Sequence, residues 1–364
     1  MKSFIANLFL SLLILLLPGQ IIASESAFPA TIVNIQNSTT ATDSNKTQWL
    51  ELKIQQTNQN LFIRNEQSPY FKFTEYKIGE ELMISFNEET NDYQIADYYR
   101  QKPINLLFWF FVVTVIGVGK LYGFTSILGM FLSLAVIIKI ILPQIYSGTN
   151  PILVIIIASI FLIPTTFYLS HGVNIKTNLA IVGTFISAII TGVLAYSFTH
   201  LAHITGYANE EASFLDIAKS GQLNIQSLLI AGIIIGSIGI LDDVSVSQVS
   251  VVNEIAKANP KFGFLELFKR SMSVGRDHVS SMVNTLFLVY TGAAMPLMLL
   301  FLDNSVSFTQ IINTEMVAEE IVRTLVASIG LILAVPITTF MAANYYSKYK
   351  NKVLYKQDNS HHHH

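Results

Sequence analysis

From Ile104 to Ala343 the sequence is a succession of apolar segments joined by short polar loops. They read Ile104–Val118, Phe124–Leu142, Pro151–Leu169, Leu179–Leu201, Ser227–Leu241, Val279–Leu302 and Ile321–Ala343. Most approach the ~20 residues an α-helix needs to cross a hydrocarbon core, and the first is the shortest. Only 13% of the 364 residues are charged, against about a quarter in soluble globular chains. The expected fold class is therefore an α-helical polytopic membrane protein of about seven transmembrane helices, residues 104–346, with the lipid bilayer as its first partner.

Residues 25–103 differ in kind. "NSTTATDSNKTQ" reads as a loop. Around it lie short alternating runs. In "WLELKI", Leu50, Leu52 and Ile54 point one way, and Glu51 and Lys53 the other; "FKF" at 71–73 and "LMISF" at 82–86 repeat the period of two. This predicts a small antiparallel β domain, a barrel of the OB or SH3-like sort. Ahead of it, residues 1–24 carry one Lys, an apolar run from Phe4 to Leu17, a Pro18-Gly19 break and small residues at Ala23-Ser24. That is the order of a secretory signal, or of an anchor if it is not cleaved.

Lysine and arginine counts give an orientation. With the β domain outside, Lys120, Lys176, the loop 242–278 and the basic tail 347–364 fall in the cytoplasm. The outer loops "GYANEEASFLDIAKSG" and "LDNSVSFTQIINTEMVAEE" are acidic and poor in bases, as the positive-inside rule expects; Arg100 and Lys102 run against it. The implied orientation is β domain outside and C-terminus in the cytoplasm.

Several chemistries are excluded. The net charge is −2 and no basic stripe is interleaved with aromatics, so nucleic acid is not an expected partner. The absence of cysteine removes disulfides, thiolate metal sites and cysteine nucleophiles. There is no Gly-rich phosphate loop, no H-E-x-x-H and no G-x-S-x-G, so neither an enzyme nor a cofactor is expected. His200 and His203 stand three apart but lack a third ligand, and the terminal histidine run is left out of any metal argument. Gly232/Gly236, Gly119/Gly123 and the Ser187, Thr191, Ala195 row suit close helix approach.

The residues that could do chemistry lie at the end of the fifth segment. Asp242 and Asp243 follow directly on Leu241, where a carboxylate needs a partner, a water cavity or a proton. Arg276, Asp277 and His278, at the start of the sixth segment, fall at the same depth in this topology, with Asn284 on the face of Asp277. Two close carboxylates beside an arginine suit proton handling. An amphipathic helix is expected after Asp243, with Asp243, Ser247, Ser250 and Glu254 on its polar face.

"GILDDVSVSQ", followed by "LFKRSMSVGRDHVSSMVNTLFLVYTGAAMPLMLLF", resembles the YibE/F-like family of bacterial multi-pass membrane proteins. The run "ELMISFNEETNDYQIADYYRQKP" resembles the end of that family's extracytoplasmic domain, so the chain is similar to the longer, YibE-type member. The resemblance implies a multi-pass topology but no established substrate; a second YibE/F-like subunit or a second copy is an expected partner. In residue types alone, the acid-ended helix and "GRDH..S..NTL" are similar to the membrane halves of RND-type exporters and Sec-accessory subunits. The leading expectation is a transporter or permease component, proton-coupled through Asp242 and Asp243. In it Arg276 is the counter-charge, and Asp277, His278 and Asn284 line the cytoplasmic mouth. The alternative is a non-transporting scaffold that binds a partner through its β domain.

Overall fold

A computed structural model describes residues 27–38, 47–55, 57–66, 74–87, 92–302 and 307–349. The signal-like segment 1–24, the "FKF" run and the tail beyond Tyr349 lie outside these residues. The described residues form two compact units that meet in sequence at Val118 and Gly119.

In the first unit, five strands make one antiparallel sheet: β1 (Ala27–Ser38), β2 (Thr47–Ile54), β3 (Asn60–Glu66), β4 (Glu81–Asn87) and β5 (Asp92–Tyr98), in the order β3-β2-β1-β4-β5. The sheet curls into a half-barrel whose edge strands β3 and β5 approach each other. Its core is Ala30, Ile32, Leu50, Leu52, Ile63, Leu82 and Ile84. The alternation read from "WLELKI" and "LMISF" is the one observed: Leu50, Leu52, Leu82 and Ile84 are fully buried and their neighbours are not. Lys102 pairs with Glu81 and so ties the following helix to β4.

That run, α1 (Gln101–Val136), is two helices joined at a kink at Lys120 (φ 52°, ψ −129°), which falls between the first two expected segments. It continues through a π-turn at Ile137–Ile141 into α2 (Leu142–Tyr146).

In the second unit follow α3 (Pro151–His171), α4 (Ile175–Leu201), α5 (Glu210–Ala218), α6 (Ile225–Ala258), α7 (Phe264–Ala293), α8 (Met295–Leu302), α9 (Phe308–Ile312) and α10 (Glu315–Lys348). Asparagine starts three of the long helices. Asn150, Asn174 and Asn224 each accept a backbone N–H of the first turn, at 2.8–3.0 Å for the closest bond of each. Among the described residues five helices are long and apolar enough to cross a membrane: Gln101–Tyr146, α3, α4, α6 and α10. The expected sixth segment, Val279–Leu302, is not among them. It is the apolar second half of α7, broken at Ala294, plus the short α8. Pro296 explains the break, since it lacks an N–H and clashes with the preceding turn.

The fifth segment also differs. It was expected to end at Leu241, with a separate amphipathic helix beyond. Instead α6 runs unbroken for 34 residues. No proline or glycine occurs between Gly239 and Asn259, and Asn259-Pro260 sets the stop.

Helices α4, α6 and α10 pack pairwise at the centre of the bundle, with α7 against α6 and α10 and with α3 against α4 and α6. Glycines set the closest approaches. A Cβ on Gly183 would lie 2.2 Å from Thr338, and one on Gly330 2.0 Å from the Thr191 hydroxyl. A Cβ on Gly275 would lie 2.6 Å from Val335. Ser187, Thr191 and Ala195 are fully buried, as their spacing suggested. Gly119, Gly232 and Gly236 have no neighbour within 4 Å of a built Cβ, so they are not approach points.

These contacts fix direction. Gly183–Thr338 and Thr191–Gly330 make α4 and α10 antiparallel, and Gly192 on Ile234 with Gln226 bonded to Ile204 does the same for α4 and α6. So α6 and α10 run parallel, and α7, antiparallel to both, carries the chain back between them.

Candidate functional site

Asp242 lies near the middle of α6, one of the candidate membrane spans, and not at the end of a helix. Its side chain is half-buried, and its Oδ1 is buried with no hydrogen-bond partner. Starting from the Gly192–Ile234 contact and stepping equally along both antiparallel helices brings Asp242 level with Thr184 on α4. Thr184, Ser187 and, one turn beyond Asp242, Ser245 are fully buried with unpartnered hydroxyls. Nearby threonines behave differently: Thr191, Thr338 and Thr339 donate to carbonyls one turn back, at 2.6–2.8 Å. At this level along its axis the bundle thus holds a carboxyl group and hydroxyls that their own helices do not use.

Asp243 is exposed and on another side of α6. It lies within electrostatic reach of His171 at the end of α3, which also senses Lys176 on α4. The two acids, adjacent in sequence, therefore have different surroundings.

The expected partners on α7 are not brought to the pair. Among the described residues no ion pair joins Arg276 to Asp242 or Asp243. Gly275 packs against α10 and α6, which turns Arg276 and Asp277 outward, and both are exposed. His278 is half-buried and Asn284 exposed. Glu254 pairs with Lys257 at 2.8 Å.

Two polar features were not singled out from the sequence. Gln248 is 1% exposed; its amide donates to the Ser271 carbonyl at 3.1 Å and to the Thr339 hydroxyl at 2.7 Å, which joins α6, α7 and α10. On α10, Glu319 is 3% exposed and accepts from Arg323 at 2.5 Å, while Glu320 accepts from the same guanidinium at 2.9 Å. The E-E-x-x-R spacing could have shown the second feature. Nothing in the sequence marks Gln248 apart from its place two turns after Leu241 on a face of small and apolar residues. No cluster of three or more His, Asp or Glu that could hold a metal occurs among the described residues.

Five helices able to cross a membrane, with an acid set inside one of them, define a helical membrane-type bundle carrying an N-terminal β half-barrel. The chain belongs to the YibE/F-like protein family, whose sequence profile matches residues 107–348. That match runs from the second turn of α1 to the last residue of α10. No curated protein and no solved structure matches the chain.

Proposed function

We propose that this protein is a proton-coupled component of a membrane transporter, in which Asp242 takes up and releases the proton. One observation carries the reading: a half-buried carboxyl group with an unpartnered oxygen, midway along a candidate span. Carboxylates inside membrane helices are costly and mark proton relays and ion pathways. Thr184, Ser187 and Ser245 are hydroxyls through which a proton could pass. Asp243, within electrostatic reach of His171, is the exchange point with the cytoplasm. Arg276, Asp277, His278 and Asn284, along α7, do not pair with the acids in this reading.

In this reading the protein sits in a bacterial plasma membrane with the β domain outside and the C-terminus inside. The lysine and arginine distribution supports that orientation. The parallel α6 and α10 support a further crossing by α7 and α8, and the kink at Lys120 supports two crossings within Gln101–Tyr146. The curled sheet, with β3 near β5, supports a small barrel of the OB sort. A second YibE/F-like subunit or a second copy is the expected membrane partner.

The test is proton flux into liposomes that carry the purified protein, followed with an internal pH dye under an imposed potential. The wild type conducts, and correctly folded Asp242→Asn does not. Equal flux in Asp242→Asn, or none in the wild type, favours a non-transporting scaffold.

A further inference from the structure

The sheet carries a second feature, independent of transport. Strand β1 begins with Ala30 and Ile32 facing the core, so Asn34 and Gln36 would follow them inward. A bulge between Ile32 and Asn34 prevents this. The extra residue, Val33, shifts the alternation by one: Ile35 now packs on the core, and Asn34 and Gln36 turn outward. There they meet the outer face of β2 and β3. Gln36 pairs in register with Trp49 and Trp49 with Arg64; Asn34 pairs with Glu51 and Glu51 with Phe62.

The result is a pocket of about 210 Å³ lined by Asn34, Gln36, Trp49, Glu51 and Phe62. Trp49 is 44% exposed and Phe62 66% exposed. The Arg64 guanidinium lies 5.5 Å above the Trp49 ring, and Asn60 donates to Glu51 Oε1 at 2.8 Å. Both contacts hold the lining side chains in place.

We infer that this face binds an oligosaccharide chain, with Trp49 and Phe62 as stacking platforms and Asn34, Gln36 and Glu51 as partners for sugar hydroxyls. Two open aromatic rings offer flat apolar faces to the C–H side of a pyranose. The amides of Asn34 and Gln36 donate and accept and the Glu51 carboxylate accepts, which suits neighbouring hydroxyls or an acetamido group. The face carries one carboxylate, Glu51, and one guanidinium, Arg64, so it has no net positive charge to draw a nucleic-acid backbone or a lipid phosphate.

The experiment is calorimetric titration of the full chain in phosphatidylcholine nanodiscs, made without sugar detergents. The probes are chitotetraose, cellotetraose and maltotetraose, with a short oligothymidylate as the phosphate-bearing competitor. The expected result is saturable binding of at least one tetrasaccharide and none of the oligothymidylate. Trp49→Ala and Phe62→Ala each weaken that binding by about tenfold or more, with unchanged thermal unfolding because both rings are exposed. Glu51→Gln weakens it less. No heat with any tetrasaccharide, equal binding by both aromatic variants, or preference for the oligothymidylate overturns the inference. None of these outcomes depends on whether Asp242 carries protons.

Discussion

The side-chain amide of Gln248 donates to the hydroxyl of Thr339 at 2.7 Å, and so joins the C-terminal half of α6 to the C-terminal half of α10. Its second bond, to the Ser271 carbonyl, brings in α7. In a bundle where lipid is as apolar as the helices, such bonds and close packing hold helices together. Gln248→Ala removes both bonds and leaves a void beside Gly275, so it should lower stability by about 1–3 kcal/mol. Thermal unfolding in detergent checks this. A double-mutant cycle with Thr339→Val should give a coupling of about 0.6–2 kcal/mol, the range for hydrogen bonds inside membranes.

Glycine substitutions should separate real approach points from apparent ones. Gly330→Ala drives a methyl into the Thr191 hydroxyl and should cost about 1–3 kcal/mol. Thr191→Ala should recover part of that, because the nearest remaining atom is then the Thr191 Cβ at 3.1 Å. Gly232→Ala and Gly236→Ala meet nothing within 4 Å and should stabilise the helix by up to about 1 kcal/mol through propensity alone. Melting temperatures of the four variants decide it.

The same glycines show what the sequence could and could not tell. A G-x-x-x-G spacing gives a face but not what lies opposite it, and Gly183 and Gly330 carry no local mark of their partners Thr338 and Thr191. The strand alternation at Leu50, Leu52, Leu82 and Ile84 was legible because burial there is set by a period of two. The bulge at Val33, which needs its partner strand, was not. Asp242 stood out as an acid among apolar residues, but its place in the helix was misread. Hydropathy falls after Leu241 while the helix, with no proline until Pro260, continues. The break before α8 had its signal in Pro296, overshadowed by the long apolar run.

The two adjacent acids should respond differently to neutralisation. Asp242 has a buried, unpartnered oxygen, whereas Asp243 is exposed. Asp242→Asn removes a poorly solvated carboxylate and should leave stability equal or raise it by about 1–3 kcal/mol. Asp243→Asn should stay within about 0.5 kcal/mol, as exposed substitutions do. A loss of stability in Asp242→Asn would instead mean that the carboxylate holds a partner, such as Arg276. Unfolding curves of both variants alongside Arg276→Ala distinguish the two cases.

Outside the membrane segments, Asp97 should give a clean titration. The Arg100 guanidinium bonds to its carboxylate at 2.5 Å and, with the Tyr98 backbone N–H, holds it below the usual carboxylate range. A depressed folded-state value means that the contribution to stability is present above the unfolded value and is lost as pH falls through the folded one. Carboxyl-detected NMR of the full chain should therefore show Asp97 titrating below the usual aspartate range. Arg100→Gln should return it toward the ordinary value.

The pair on α10 gives the sharpest asymmetry. Glu319 is 3% exposed and its charge is met by Arg323, which is about a third exposed at 32% and also holds Glu320. Removing the arginine leaves a buried carboxylate without its cation, whereas removing both charges leaves neither group stranded. Arg323→Ala should therefore lower stability by about 3–5 kcal/mol, the usual cost of breaking one side of a buried pair. Glu319→Gln combined with Arg323→Gln should cost much less, since a paired charge pays its own desolvation and gives back little net stability. The order of the three unfolding midpoints, wild type first, the double variant close to it and Arg323→Ala well below, is the outcome to look for. If Arg323→Ala unfolds at the wild-type midpoint, Glu319 has another partner or is solvated, and the pair does not hold this end of α10.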